Sequence, residues 1–90
     1  MAWNNRIMLN IKYFASLRER LERSDEQMPC PEGVRTIGDL RAHLAARGGE
    51  WSRLAGTKNL RCARNQAMAE DATPLHDGDE IAFFPPVTGG

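Results

Sequence analysis

The longest periodic segment of the chain is a helix pattern that begins at Thr36. Asp39 follows three residues later, which is the spacing of a capping box with Asp in place of Glu. The apolar residues that come next, Ile37, Leu40 and Leu44, recur at three- and four-residue intervals until Gly48-Gly49 ends the pattern. The sequence therefore predicts one main helix over residues 37–47, long enough to cover one face of a sheet.

Segments on either side of this helix have the patterns of short strands. Residues 6–13 alternate, with Ile7, Leu9, Ile11 and Tyr13 on one side, and residues 80–84 form another strand-like run. Residues 60–64 and a return through Met68, joined by a polar turn at Asn65-Gln66, predict a hairpin. These runs are short, as expected for strands.

Two further segments are less regular. Residues 15–23 are rich in helix formers, which favours a short helix or a helical turn. Residues 25–31 fit either a loop or a strand, but Pro29 and Pro31 would confine a strand to the sheet edge because proline donates no ladder hydrogen bond. The order of elements predicts an α+β fold, a sheet covered by one main helix, in a single domain over residues 1–90.

Composition and charge exclude several classes of function. The 12 basic and 12 acidic residues cancel, whereas a general nucleic-acid binder carries a surplus of Lys and Arg. The apolar runs are shorter than the roughly 18 residues of a membrane-spanning helix, and residues 1–6 lack the apolar stretch of a signal peptide. We therefore expect a cytoplasmic protein that binds neither nucleic acid nor membrane.

The charge is nevertheless unevenly distributed. After Arg64 the chain has no Lys or Arg, but it has five carboxylates: Glu70, Asp71, Asp77, Asp79 and Glu80. Such an acidic end either steers the protein towards a basic partner or forms an ordinary solvated surface.

No group of side chains in the sequence resembles a catalytic or metal site. Nucleophile-base pairs, paired carboxylates in apolar surroundings and glycine-rich phosphate loops do not occur at convincing spacing. Cys30 and Cys62 lack CxxC spacing, which predicts two reduced, partly buried thiols. The run Asp77-Gly78-Asp79 is typical of a turn and too short for a calcium loop. We expect no metal site and no catalysis by the isolated chain.

The end of the chain is its most unusual feature. Pro85 and Pro86 cannot continue a sheet ladder, so residues 85–90 should leave the last strand as an extended, flexible tail. Such a tail reaches about 20 Å. Gly89 and Gly90 have no Cβ, so the backbone fits a narrow channel and a nucleophile can approach the terminal carbonyl. This geometry suits a carboxyl terminus delivered into another protein's active site, although a terminal Gly-Gly is also typical of a frayed chain end.

Together these motifs resemble one family. The resemblance extends over nearly the whole chain and rests on Tyr13–Glu19, the helix from Thr36 to Leu44, Asn65-Gln66, and above all residues 75–90, LHDGDEIAFFPPVTGG. The chain is similar to the ubiquitin-like sulfur carriers, and most specifically to the small subunits of molybdopterin synthase. The resemblance implies a β-grasp fold, in which a mixed sheet is covered by one main helix and ends in an extended C-terminal tail.

The chain departs from the family's pattern at three places. They are an N-terminal extension through about residue 6, a longer stretch after Arg20, and a hairpin strand that contains Arg61 and Arg64. None of these departures lies in the tail, so they bear on partner recognition more than on the chemistry.

The resemblance implies that Gly90 is the working residue. In this family an adenylating enzyme related to the ubiquitin-activating enzymes uses ATP to form an acyl adenylate on the terminal glycine, and sulfur then displaces AMP to leave a thiocarboxylate. The thiocarboxylate donates sulfur to cyclic pyranopterin monophosphate, which acquires the dithiolene of molybdopterin. The carrier holds no permanent cofactor and acts as a sulfur-donating co-substrate of the synthase.

The resemblance also implies how the partner is bound. In the family, two small and two large subunits form a heterotetramer, and the tail enters the active site of the large subunit; here it comprises Pro85, Pro86, Val87, Thr88 and Gly89, followed by Gly90. If Ile81 and Phe83 point into the core, alternation places Ala82 and Phe84 outside. The expected partner surface consists of Phe14, Met68 and Phe84. Phe14 and Met68 fit core positions equally well.

Other functions share some of these features. A related sulfur carrier, for thiamin synthesis or tRNA thiolation, has the same fold and Gly-Gly end, but the approach over residues 83–88 favours molybdopterin. A ubiquitin-like modifier would form an isopeptide bond between Gly90 and a lysine, or the domain would only dock on a partner. A small enzyme acting alone would require catalytic residues that the sequence does not contain.

Overall fold

The computed structural model describes residues 7–56 and 59–85. In chain order the elements are β1 (Met8–Tyr13), α1 (Ala15–Leu21), β2 (Asp25–Pro29), α2 (Ile37–Ala45), a 3₁₀ helix (Gly49–Ser52), α3 (Arg53–Gly56), β3 (Arg61–Arg64), β4 (Ala67–Ala69) and β5 (Glu80–Phe84). The strands form one mixed sheet in the order β2-β1-β5-β3-β4. β1 and β5 are parallel, and the other neighbouring strands are antiparallel. The predicted α+β architecture is confirmed.

The strand patterns in the sequence correspond to strands in the sheet. In β1 the odd-numbered residues Leu9, Ile11 and Tyr13 are buried, as the alternation predicts. The turn at Asn65-Gln66 joins β3 to β4, and both of its residues have positive φ, 51° and 72°. β2 lies at the edge of the sheet, the only place where its proline costs no ladder hydrogen bond.

The main helix begins where the sequence predicts and ends two residues earlier. The Thr36 side chain accepts a hydrogen bond from the Asp39 amide at 3.2 Å, and the Asp39 carboxylate accepts one from the Thr36 amide at 3.2 Å. This capping box stabilises the helix by about 0.5–2 kcal/mol. After Ala45 the amides of Arg47 and Gly48 bond three residues back, which tightens the last turn and ends the α-helical geometry.

One apolar core lies between the helices and the sheet. Its largest fully buried side chains are Tyr13, Phe83, Leu9, Ile11, Ile37, Leu40, Leu44, Leu54 and Ile81. Leu54 belongs to α3. No pattern in the sequence predicts α3 or the 3₁₀ helix. Helices of four residues are too short to produce a periodic pattern, so packing of Leu54 and Trp51 defines them.

A mostly buried carboxylate joins the edge of the sheet to the end of the main helix. The Glu26 side chain of β2 is only 10% exposed. It accepts a hydrogen bond from the Tyr13 hydroxyl at 2.8 Å and two from the Arg47 guanidinium at 2.8 and 3.0 Å. The same guanidinium lies 4.4 Å from the centre of the Trp51 ring, which in turn contacts the Tyr13 ring edge-on. Trp51 therefore packs near the end of α2.

These contacts change the protonation behaviour of Glu26. Burial by itself raises the pKa of a carboxyl group, but the hydrogen bonds from Arg47 and Tyr13 outweigh burial and hold the pKa of Glu26 below its ordinary value. Burial, followed by the hydrogen bond to Glu26, raises the pKa of Tyr13. The phenol therefore stays neutral and acts as a donor.

The lowered pKa of Glu26 predicts a contribution to stability that acid removes. The contribution is complete above the unfolded pKa of about 4.3 and is lost as the pH falls through the lower folded-state pKa. Glu26→Gln should lower the free energy of unfolding near pH 7 by about 1–3 kcal/mol and should reduce the loss of stability between about pH 6 and about pH 3. Urea unfolding at about pH 6 and about pH 3 measures the loss of stability in each protein. Glu19→Gln, on the exposed side of α1, is the control. An undiminished acid dependence in Glu26→Gln would contradict it.

Candidate functional site

The tail begins at the end of the central strand, where three strand ends meet. β5 pairs Phe83 with Tyr13 of β1 on one side and Phe84 with Arg61 of β3 on the other. The residue after β1, Phe14, donates its amide hydrogen to the Phe83 carbonyl at 3.1 Å and so continues the pairing. Pro85 follows directly and is half-buried. The predicted tail residues Pro86, Val87, Thr88, Gly89 and Gly90 lie outside the described residues, so their roles stay predictions.

Phe14 and Phe84 form an aromatic pair beside this tail origin. Their ring centroids are 6.2 Å apart and the rings meet edge-to-face at 73°. Phe14 is 43% exposed, which shows that the alternative core position was wrong for this residue. An edge-to-face pair contributes about 0.5–1.5 kcal/mol beyond its buried area. The pair is thus held in place while one ring still faces solvent.

Met68 lies on the same face of the sheet but apart from the aromatic pair. It is 60% exposed, so a core position was wrong for this residue as well. Met68 is opposite Ala63 of β3, and Ala63 is opposite Ala82 of β5. Directly opposed residues project to the same face, so Met68 and Phe84 share the face without touching across neighbouring strands. We call this surface, with Phe14, Phe84 and Met68 as its large apolar side chains, the open face.

Ala82 shows the limit of the alternation argument. It lies on the open face, as predicted, yet it is only 8% exposed. Its neighbours across the ladder are Lys12 and Ala63. The Lys12 ammonium extends over β5 and pairs with Glu80 at 3.5 Å. The methyl group of Ala82 lies in the centre of a five-stranded sheet, where longer side chains such as that of Lys12 cover it. Ala82 therefore contributes little exposed surface to the open face.

The turn before β5 is organised by a second buried carboxylate, that of Asp79. It accepts hydrogen bonds from Arg64 Nε at 2.8 Å, Asn65 Nδ2 at 2.9 Å and the His76 amide at 2.7 Å. Burial raises the pKa of Asp79, but these three hydrogen bonds outweigh burial and hold it below its ordinary value. The carboxylate is therefore ionised and committed to the fold, in a turn that Gly78 completes at φ 84°.

The acidic character of the chain's end is partly neutralised by the fold. Arg41 pairs with Asp71 at 2.8 Å, Arg64 with Asp79 at 2.8 Å, and Lys12 with Glu80 at 3.5 Å. Three of the five carboxylates after Arg64 thus contact a basic side chain from earlier in the chain. Counting the carboxylates after Arg64 therefore overestimates the negative potential of this segment, because the count does not include these basic partners.

Both cysteines are buried and uncombined, as the sequence predicts. Burial raises the pKa of Cys62 to about 12 and also raises the pKa of Cys30. Since the thiolate is the reactive form, neither sulfur is a nucleophile near neutral pH. Across residues 7–56 and 59–85, no three His, Cys, Asp or Glu side chains converge as metal ligands would. In the same residues, none of the helices has both the length and the apolar character needed to span a bilayer.

Known proteins resemble the chain over nearly its whole length. The model of the ThiS family matches residues 11–90. The molybdopterin synthase sulfur carrier subunit of Escherichia coli (strain K12) is 37% identical over 83 residues, which are 92% of this chain and 100% of that protein.

Solved structures share the fold. The crystal structure of SAMP1 from Haloferax volcanii superposes with a TM-score of 0.73 at 26% identity, covering 92% of this chain and 99% of that one. A chain in the protein–protein complex of subunits 1 and 2 of the molybdopterin-converting factor from Helicobacter pylori 26695 superposes with a TM-score of 0.65 at 25% identity, covering 93% of this chain and 100% of that one. These likenesses confirm the predicted ubiquitin-like β-grasp fold.

The hydrogen bonds of Asp79 predict a large loss of stability when its carboxylate is removed. Asp79→Ala leaves the Arg64 and Asn65 side chains and the His76 amide without an acceptor, so the free energy of unfolding should fall by about 2–4 kcal/mol. Asp77→Ala, two residues earlier in the same turn, removes one hydrogen bond at an exposed position, from the Met8 amide, and should cost about 1 kcal/mol or less. Urea unfolding of both variants measures the difference. Equal losses would contradict the structural role of Asp79.

Proposed function

Because the chain belongs to the ThiS family, we propose that it is the sulfur carrier subunit of a molybdopterin synthase. The observation that supports this function best is the partly exposed Phe14–Phe84 pair beside the end of β5. A carrier must dock on a partner while its terminus reaches into the partner's active site. An apolar docking surface beside the end of β5 meets the first need, and residues 85–90, which span at most about 20 Å when fully extended, meet the second.

The proposed chemistry takes place at the Gly90 carboxyl group. The carboxylate attacks the α-phosphorus of ATP on an adenylating enzyme, which gives the acyl adenylate and releases pyrophosphate. A sulfur donor then displaces AMP, and a thiocarboxylate remains. On the large subunit its sulfur is transferred to cyclic pyranopterin monophosphate, and water supplies the oxygen that restores the carboxylate. In this chemistry the adenylating enzyme binds and consumes the ATP, so the carrier itself needs no permanent cofactor.

The fold of the chain supports the role of a carrier without its own catalysis. Cys30 and Cys62 are buried, with pKa values raised by burial, so the transferred sulfur must come from another protein or from sulfide. The buried Asp79 and the mostly buried Glu26 both accept hydrogen bonds within the fold. The Gly90 carboxyl group is then the group that carries the chemistry.

The proposed partner is the large subunit of molybdopterin synthase, in a heterotetramer of two small and two large subunits in the cytoplasm. The structural relative from Helicobacter pylori was solved as a complex of subunits 1 and 2 of the molybdopterin-converting factor. By analogy, the open face of this chain binds the large subunit, and residues 85–90 enter its active site. The surface has the aromatic and Met side chains that are enriched at protein interfaces.

The carrier chemistry predicts a change in mass at the C-terminus. After incubation with ATP, an adenylating enzyme of this pathway and a sulfur source, the intact chain should gain the mass difference between sulfur and oxygen. A chain that lacks Gly90 should not change, because no terminal glycine at the required position is adenylated. Intact-mass spectrometry measures both. An unchanged wild-type mass, with an enzyme shown to be active on its own carrier, would contradict the proposed function.

A second function is favoured by one comparison. The Haloferax volcanii relative is named as a small archaeal modifier protein, and at 26% identity it shares the fold over 92% of this chain. A modifier would join Gly90 to lysines of other proteins instead of returning it as a carboxylate. Covalent adducts that form in the presence of ATP and survive reduction would support this alternative; a thiocarboxylate without such adducts would support the carrier.

The open face also predicts which side chains the large subunit recognises. Met68→Ala should raise the Kd for the purified large subunit about 5- to 30-fold, because an exposed apolar anchor is lost from the interface. It should hardly alter the free energy of unfolding, since Met68 is 60% exposed in the free chain. Isothermal titration calorimetry measures the affinity.

Met28→Ala provides the matched control. Met28 lies in β2, where it packs against the apolar core instead of standing on the open face. The same chemical change should therefore lower the stability of the chain and leave the affinity of the folded chain unaltered. Equal affinities of Met68→Ala and wild type would exclude Met68 from the interface.

A further inference from the structure

Arg61 stands within the open face, between the aromatic pair and Met68. It is directly opposite Phe84 in the antiparallel pairing of β3 with β5. It is also two residues from Ala63, which faces Met68 across the other side of β3. Residues two apart on a strand project to the same face, so Arg61 is the lateral neighbour of Phe84 and the diagonal neighbour of Met68. A partner that covers both apolar side chains therefore lies next to Arg61.

The charge of Arg61 is free in the described part of the chain. The side chain is exposed, and no carboxylate in residues 7–56 and 59–85 lies within 4.0 Å of it. Lys12, another cation of this face, differs in this respect because it pairs with Glu80, and on the opposite face of β3 Arg64 pairs with Asp79. Within the described residues Arg61 is therefore an unpaired cation, at the first position of β3 and beside the apolar side chains of the open face.

Covering an unpaired guanidinium has a physical consequence. Loss of water from a charged group is unfavourable unless the partner provides an opposite charge or hydrogen-bond acceptors in good geometry. Arg is well suited to such contacts, since its planar guanidinium can bind a carboxylate through two parallel hydrogen bonds. An interface over Phe84 and Met68 thus has to supply an acceptor at the position of Arg61.

We propose that the partner surface which binds the open face carries a carboxylate opposite Arg61, between the pockets that receive Phe84 and Met68. This inference rests on the proposed function for the identity of the partner, the large subunit. It extends that function by assigning partner selectivity to Arg61: a surface with apolar pockets but no acidic group at that point is rejected. The arginine-bearing hairpin strand, one of the chain's departures from the family pattern, is then part of the recognition surface.

The substitution Arg61→Met tests the proposal because the two possible partner surfaces give opposite results. It removes the charge and keeps a long apolar side chain. If a carboxylate faces Arg61, the variant leaves that carboxylate covered and unpaired, and the Kd for the purified large subunit should rise about tenfold or more. If no carboxylate is present, removal of a poorly solvated charge should leave the affinity unchanged or improve it.

Two further variants complete the experiment. Arg61→Lys keeps the charge without the planar fork, so its Kd should lie between those of wild type and Arg61→Met. Arg53→Met removes another exposed arginine, one that pairs with Glu50 and belongs to α3, which packs on α2 away from the open face, and should bind like wild type. Thermal unfolding of each variant checks that the fold is retained, as expected for exposed positions.

Salt dependence provides an independent readout. The difference in affinity between wild type and Arg61→Met should shrink as NaCl is raised from about 0.05 M to about 0.5 M, because added ions screen the pair at its exposed margin. Wild-type affinity or tighter binding by Arg61→Met, or an equal loss in Arg53→Met, would overturn the proposal. If the wild-type chain itself does not bind the large subunit, the proposed function is wrong. This result is distinguishable, because then neither wild type nor any variant binds.

Discussion

The parallel pairing of β1 with β5 is the interaction on which the rest of the structure depends. It places the first and last strands of the fold side by side in the middle of the sheet, so that Tyr13 and Phe83 stack in the core. Because parallel strands end at the same edge, the residue after β1 and the last residue of β5 emerge together. The Phe14–Phe84 pair and the origin of the tail are direct consequences of this pairing.

Two carboxylates with little exposure hold the elements around this pair of strands. Glu26 joins the edge strand to Tyr13 and to Arg47 beyond α2, while Asp79 joins the hairpin to the start of β5. Both have several hydrogen-bond donors, which explains how ionised groups are accommodated with little contact with water. In a chain of 90 residues with one small core, such polar contacts fix the relative positions of the elements more specifically than apolar burial alone would.

In the proposed function, the chemistry takes place at the C-terminus and the folded domain recognises the partner. In this proposal other enzymes activate the Gly90 carboxyl group and add sulfur to it, and no catalytic side chain in the carrier is needed. Selectivity for one partner must then come from the folded domain. In the proposed recognition, Phe14, Phe84 and Met68 provide apolar contact area, and Arg61 provides the charge that distinguishes one apolar partner surface from another.

The sequence by itself determined the elements that depend on local pattern. The alternation in β1, the capping box at Thr36, the hairpin turn at Asn65 and the strand that ends at Phe84 are all readable from neighbouring residues. Only the tertiary structure decided which apolar residues stay exposed, because Phe14 and Met68 fit a core position and a surface position equally well until strand order and register are known. The pairing of distant charges and the one-turn helices around Leu54 have the same origin, since both depend on contacts between residues far apart in the chain.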